Sequence, residues 1–460
     1  MHASSMENML LAFEYYVAGD YFQARDRIDV VDIGGANVNG SYADIFAHPK
    51  FRLTAVDVAP GPGVDLVLRD PYSLPFADAS VDIIISGQAF EHIEFFWRSF
   101  AEMIRVLKQD GLLMLIAPSA GPIHQYPVDC YRFYPDAYRA LAKFTGTHLV
   151  EVWRDERGPW QDLCGVFCKT QRAARPPSAS IDWAQYAPRV PGLLPAAVQV
   201  ERGSAEEELT QGSGPYLDML QGVHRAVRPR KYLEIGVRHG HSLSLADCPS
   251  IGIDPDPHPD TARLLHPIVR TTSDRFFREA PSDLRPDFAF IDGMHLIEYA
   301  LRDFMQLERR MPPGGVIAVD DVFPNHPRQA TRTRQTQVWT GDVWKLATIL
   351  AEHRPDLVLI PVDTAPTGLL LITALDASNR VLWEHYNPVV RDALAQEIDA
   401  QVISRTAARA PDDEGLWRLL QELPALRDTT PQHLRALAQM CLHESDRLPH
   451  SAPRPLSGGN

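Results

Sequence analysis

Asp292, His295, Asp320 and Asp321 fall in one stretch, Pro286 to Pro324, and their types suit cation-assisted proton chemistry. A hard cation such as Mg²⁺ takes oxygen ligands in octahedral geometry and keeps positions for water or substrate. Three carboxylates leave room for two vicinal hydroxyls of a sugar. A cation beside a hydroxyl lowers its pKa, as it does for water, where the shift reaches ~8 units. His295, three residues past Asp292, is placed to take the released proton. The plainer reading is that each Asp caps a helix or pairs with an arginine. An Asp–His pair and an Asp–Asp pair on successive strand ends favour the metal.

Those strand ends come from two apolar runs, Phe288–Ile291 and Val316–Val319, which read as buried parallel strands flanking an amphipathic helix. Open α/β sheets bind ligands at the carboxyl ends of their strands. Adjacent strands lie ~4.8 Å apart, so the acids converge. Upstream, a helix over 215–227 leads to a strand over 231–235 and the turn Gly236-Val-Arg-His-Gly240-His-Ser242. A strand over 251–254 ends at Asp254, twenty positions after Glu234, a spacing that suits a ribose contact. A third strand over 268–272 leads to Ser273, placed to approach an adenine. Strands over 357–361 and 369–374 complete the sheet as a hairpin.

The first half repeats the pattern. A lead-in helix over 7–17 precedes a strand over 29–33, then Gly34-Gly35-Ala36-Asn37 and a helix from about Ser41. A glycine turn lets backbone approach a ligand, and a helix N-terminus offers free N–H donors. Strands over 53–58, 66–70, 81–86 and 112–118 follow, with a helix over 96–107 before the last. Asp57 sits where a ribose-binding acid belongs. His92 reads either as a general base or as a histidine packed under a cofactor. The stretch Gly121–Pro135 reads either as an acceptor-binding loop or as a packed surface loop in which His124, Tyr126 and Arg132 make backbone hydrogen bonds.

Asp32-Ile-Gly-Gly, Asp57, Asp70 with Leu74-Pro75-Phe76, Val81-Asp82-Ile83, Glu91-His92-Ile93 and Arg105 to Gly111 stand in the order of class I S-adenosylmethionine (SAM) methyltransferases. The first half resembles that family over about 29–118. The resemblance implies a SAM site containing Asp32, with Gly34 under the methionine part, Asp57 on the ribose and Asp70 at the adenine. The family usually has glycine at the position of Ala36, and often at that of Val38. The second half resembles, over about 232–324, the metal-dependent sugar O-methyltransferases of the macrocin and mycinamicin type. Its motif is an Asp, a His three residues later, and an acidic pair beginning 28 positions after the first Asp. The resemblance implies Asp292, Asp320 and Asp321 as ligands of Mg²⁺ or another divalent cation. His295 would be the general base beside Asp292, and the resulting oxygen would attack the sulfonium methyl in line. Glu234, Gly236, Gly240, Ser242 and Asp254 would form the SAM site. The family often has Glu at the position of Asp320. Relatives with Ile-Asp-Gly-x-His but no acidic pair need no metal, so the pair is the deciding feature. The first half offers Ser86 and Pro118-Ser119 where the second has carboxylates, and is expected to do without this metal, either as a second methyltransferase or as a degenerate partner that shapes the acceptor site.

These readings imply an α/β protein of two Rossmann-like, mostly parallel seven-stranded domains with a helical C-terminal extension. The expected boundaries are 1–171, a linker over 172–212, the second domain over 213–376, the extension over 377–448, and a disordered tail over 449–460. Trp183 and Tyr186 would pack the linker, and Glu206–Glu208 would be a solvated face. Trp339 and Trp344 could stack on a sugar ring, with Lys345 reaching an acid or phosphate, although core packing of at least one tryptophan is the simpler outcome. Helices over 389–404, 414–422 and 431–444 read as a cap or a homo-oligomer interface. At 460 residues the length suits two to three domains. A net charge of −14 argues against a broad grip on nucleic acid or anionic membrane. Five scattered cysteines suit reduced thiols. No signal peptide or spanning segment is read, so the expected location is the cytoplasm. The expected acceptor is a sugar, a glycan or a glycosylated small molecule such as a natural product. Two rivals are a glycan-binding scaffold of decayed domains and a NAD-dependent nucleotide-sugar oxidoreductase. The first predicts loss of Asp57 and Asp254, and the second requires Gly-x-Gly-x-x-Gly and Tyr-x-x-x-Lys, absent from both halves.

Overall fold

A computed structural model of the chain describes residues 2–38, 40–171 and 202–445. Most of the expected linker, including Trp183 and Tyr186, and the tail from Pro449 lie outside the described residues. The chain divides into two units: one holds 1–198 and 380–395, the other 199–379 and 396–460.

In the first unit the strands are β1 Ile28–Ile33, β2 Phe51–Asp57, β3 Leu66–Val67, β4 Val81–Gly87, β5 Leu107–Ala117, β6 His148–Arg154 and β7 Leu163–Cys168. In the second they are β8 Tyr232–Ile235, β9 Ser250–Ile253, β10 Ile268–Val269, β11 Phe288–Ile291, β12 Val316–Asp320, β13 Val358–Val362 and β14 Leu369–Thr373. The sheet orders are β3-β2-β1-β4-β5-β7-β6 and β10-β9-β8-β11-β12-β14-β13, one permutation twice. All pairings are parallel except those of β7 and β14, which run antiparallel to both neighbours. The expected two-domain α/β architecture is therefore present, hairpin included.

The central strands are apolar on both faces because helices cover both sides of a parallel sheet. Val30, Ile83 and Ile85 pack with Met9 and Phe13 of the helix Ala3–Tyr16. Their neighbours Val31 and Ile84 pack on the other face with Phe100 and Met103 of the helix Phe96–Val106. Period-two alternation thus feeds two separate cores.

Several local expectations change. In place of a helix from Ser41 there is a three-residue 3₁₀ turn, Tyr42–Asp44. Pro49, just before β2, closes the segment on its C-terminal side. That turn presents no extended helix N-terminus to a ligand. The helix expected over 389–404 breaks after Leu394, and Asp399 caps the next one, Ala400–Ile403, by accepting the Gln401 N–H at 2.8 Å. The segment 380–395 belongs to the first unit, where Tyr386 donates to Glu7 at 2.8 Å and the Ser4 N–H donates to Asn387 at 2.9 Å. The acidic run is not merely solvated: Glu208 accepts the N–H groups of Gln337 and Val338 at 2.9 and 2.8 Å. No helix of the described residues is long and apolar enough to cross a membrane.

Candidate functional site

Register places the site. Ile291 of β11 pairs with Ile235 of β8 and with Val319 of β12. The next residues on these three adjacent strands, Gly236, Asp292 and Asp320, therefore stand level at the carboxyl edge. Gly236 turns away with φ +85°, and a Cβ there would lie 1.8 Å from the Asp292 carbonyl oxygen. Only glycine permits this approach.

Beyond the strand ends, Asp292, His295 and Asp321 bring one potential ligand atom each to within 4.8 Å of the others. Asp321 reaches the group because its backbone is left-handed, φ +63°, a conformation that Asp tolerates better than most residues. Asp320 does not join them. It is buried behind the group, and its Oδ1 accepts the Asp321 N–H at 2.9 Å.

His295 Nδ1 lies 2.8 Å from the Trp339 carbonyl oxygen and 2.9 Å from Asp321 Oδ2. Both neighbours are acceptors, which assigns the proton to Nδ1 and leaves Nε2 to accept. Nε2 faces Asp292 Oδ1 at 3.7 Å. Burial opposes charge on the imidazole, but Asp321 and then Asp292 outweigh it and push its pKa up to about 9. Burial, then the charge of Asp321, raises both Asp292 and Asp320. Two carboxylates and an imidazole converge there with a third carboxyl buried nearby, a donor set that fits a divalent cation, whose charge would keep Asp292 and Asp321 ionised and His295 neutral.

A turn over 339–342 fixes the histidine. Trp339 stacks on His295 with ring centroids 5.1 Å apart and planes 7° from parallel. Its indole N–H donates to Thr331 at 2.6 Å. Gly341, φ +57°, passes so close that a Cβ would lie 1.6 Å from the His295 carbonyl oxygen. Asp342 accepts the Ile297 N–H at 2.8 Å, the first of the helix Ile297–Glu308, and also binds Arg332 at 2.8 Å and Lys345 at 3.3 Å. Trp339 and Trp344 follow the core-packing alternative and not the sugar-stacking one: both are buried, as is Lys345, and Trp339 spends its face on His295. Sequence spacing could not reveal that stack, which spans 44 positions.

On the cofactor side, buried Glu234 accepts from Tyr232 and Ser242, each at 2.7 Å. Asp254 Oδ2 accepts the N–H groups of Val237 and Arg238 at 2.9 and 2.8 Å, bracing the Gly236–Gly240 turn. Gly236 and Gly240 are both left-handed and carry no side chain, so at those two positions the turn presents bare backbone, a cradle that suits a SAM molecule. Ser273 begins the helix Ser273–Glu279 after β10, with Thr272 as its cap.

The first unit repeats this bracing. Asp57 Oδ2 accepts the Ala36 N–H at 3.3 Å, across the turn that begins at Gly34, φ +76°. Asp32 is buried in β1 at the position Glu234 holds in β8, and in both cases burial pushes the carboxyl up to about 8. Asp70 is exposed and accepts the Tyr72 N–H at 2.9 Å. His92 is half-buried with Nδ1 2.6 Å from the Val128 carbonyl oxygen. Arg132 pairs with Asp129 at 2.6 Å and donates to the Pro122 and Tyr131 carbonyls, as the packed-loop reading expects, while Tyr126 is exposed. Register puts Gly87 and Ile116, rather than Ser86 and Pro118-Ser119, level with Asp292 and Asp320.

Residues 32–115 and 233–322 match two family models, each described as a methyltransferase domain. An uncharacterized methyltransferase of Mycolicibacterium gilvum is 30% identical over 193 residues, covering 36% of this chain and 71% of the relative. Another, from Mycobacterium sp. strain JLS, is 37% identical over 185 residues, covering 36% of this chain and 70% of the relative. A solved Burkholderia thailandensis 1,6-didemethyltoxoflavin-N1-methyltransferase with bound S-adenosylhomocysteine is 16% identical, with 36% of this chain and 79% of that chain covered and a TM-score of 0.30. Two matched domains on two sheets of one strand order, with relatives covered over most of their length, lead to one assignment: the chain belongs to the SAM-dependent methyltransferases, as a tandem of class I domains.

Proposed function

We propose that the C-terminal unit O-methylates a hydroxyl of a sugar, glycan or glycosylated small molecule with the help of Mg²⁺ or another divalent cation. The observation that carries this is the meeting of Asp292, His295 and Asp321 at the strand ends, beside the Gly236 turn. SAM supplies the methyl group, and a divalent cation supplies Lewis acidity that lowers the pKa of a nearby hydroxyl. Asp292 and Asp321 would hold the cation, while buried Asp320 accepts the Asp321 N–H and braces that backbone. His295, turned by Trp339 and Asp321, accepts the hydroxyl proton at Nε2. The turn braced by Asp254 and the Glu234–Ser242 pair hold the methyl donor in register with that oxygen. The N-terminal unit is a methyltransferase domain without this carboxylate set.

One observation favours a second reading. The 2.9 Å Asp321–His295 pair also resembles an orienting acid and a general base working without a cation. Methyl transfer from labelled SAM to candidate glycans, with and without chelator, separates the two. The metal reading expects chelation to abolish transfer by the C-terminal unit and added Mg²⁺ to restore it. Full activity in chelator leaves His295 as the unaided base.

A further inference from the structure

The N-terminal unit carries a different donor cluster. Just past β4, Glu91 is fully buried, yet neither carboxylate oxygen has a hydrogen-bond partner. A buried carboxylate without a partner is strongly disfavoured unless a cation or a proton compensates it. His92 Nε2 lies 3.7 Å from Glu91 Oε1. The other ring nitrogen, Nδ1, meets the Val128 carbonyl at 2.6 Å, so it carries the proton and Nε2 turns a lone pair toward the carboxylate. That separation is too long for a hydrogen bond, but two metal bonds of ~2.0–2.2 Å span it.

His124 supplies the third ligand from the loop after β5. Its ring meets His92 edge to face at 4.8 Å and lies against Trp160 at 4.4 Å. Asp129 accepts the His124 backbone N–H at 2.7 Å and stands 3.4 Å from its Nδ1, and Arg132 also lies 3.4 Å from Nδ1. A carbonyl behind one histidine and a carboxylate beside the other are the outer groups that orient metal-bound imidazoles. One ligand atom from each of Glu91, His92 and His124 lies within 4.8 Å of the others.

We propose that Glu91, His92 and His124 form a divalent transition-metal site in the N-terminal unit, chemically distinct from the all-carboxylate set of the C-terminal unit. Two imidazoles and one carboxylate select Zn²⁺, Fe²⁺ or Co²⁺ over Mg²⁺ and leave positions open to an incoming oxygen or nitrogen donor. The site ties the 121–134 loop to the end of β4, where the first unit would meet its acceptor. This inference does not depend on the C-terminal reading.

The test is Co²⁺ titration of the chelator-treated full chain carrying Asp292→Asn, Asp321→Asn and His258→Ala, the last to remove the exposed His239–His258–Asp260 group, followed by calorimetry and visible absorption. We expect one equivalent with ligand-field bands, weakened ~100-fold or more by Glu91→Gln and, separately, by His124→Ala. His124 is a loop residue, so its variant keeps the test open if Glu91→Gln folds poorly. Loss of that equivalent in both variants, or in His124→Ala alone where Glu91→Gln fails to fold, supports the site. Cobalt stoichiometry and spectrum unchanged in either folded variant overturn it.

Discussion

Gly236 and Asp292 touch through their backbones: the α-carbon of one faces the carbonyl of the other so closely that a methyl group would arrive at 1.8 Å. The turn that cradles the methyl donor and the strand end that carries the first acid are therefore one rigid body. Gly236→Ala also needs φ +85°, which alanine disfavours by roughly 1–3 kcal/mol. The expected result is SAM affinity reduced at least ~10-fold, with Tm lowered. Calorimetric titration and a thermal melt check it, and wild-type affinity would show that the turn is not the cofactor cradle.

Asp321 and Asp320 are adjacent but not equivalent. Asp321→Asn keeps a residue that tolerates φ +63° and removes the converging charge. It is expected to lower C-terminal methyl transfer on the order of 100-fold, about 2.7 kcal/mol, with little change in Tm. Asp320 points its Oδ1 at a backbone N–H, and Asp320→Asn is expected to cost less activity than Asp321→Asn. Chelator-dependent rates of the two variants side by side provide the measurement. Equal losses would return Asp320 to the ligand set.

Trp339 holds His295 from one ring face and through its own carbonyl. Trp339→Ala removes the stack, and a base displaced by ~1 Å loses on the order of 100-fold in rate. The expected signature is a lower kcat with the KM for SAM unchanged. A change confined to the acceptor KM would instead mean that the indole meets substrate.

Glu234 gives the fold a pH dependence. Burial, only partly offset by Tyr232 and Ser242, raises its carboxyl from 4.5 to about 8. The folded state therefore binds more protons than the unfolded state between those values, and stability falls as pH rises from about 4.5 to about 8, then levels off. The shift corresponds to at most ~5 kcal/mol. Urea melts of the cofactor-free protein at pH 5.5 and pH 8 should show the fall, and Glu234→Gln should shrink it. An undiminished fall in the variant would locate the dependence elsewhere.

The strand ends are legible because short apolar runs stop at carboxylates: the run Phe288–Ile291 coincides with its strand, and the run Val316–Val319 falls one residue short of its own. Both expected strands of the second unit's hairpin were found within a residue, since Val358–Val362 and Leu369–Thr373 are compact apolar runs. The matching strands of the first unit are not evident from the sequence. His148–Arg154 is half-exposed along its length, so its pattern is diluted by His148, Glu151 and Arg154. Of the site, Asp292, His295 and Asp321 were readable from spacing, whereas the division between Asp320 and Asp321 depends on one left-handed residue. The neighbourhood of Glu91 and His124 was not readable, because the chain between them follows β5 out and returns by an irregular loop.

Residues 380–395 belong to the first unit although the whole second sheet precedes them in the chain. On the ribosome, where N-terminal domains ordinarily fold as they emerge, this unit cannot finish on schedule. Glu7 and Ser4 wait for Tyr386 and Asn387, which leave the exit tunnel only after β14 has been made. The first unit to be synthesised is thus completed after the second unit's sheet, and a gene cut between the two domains severs a piece of the first.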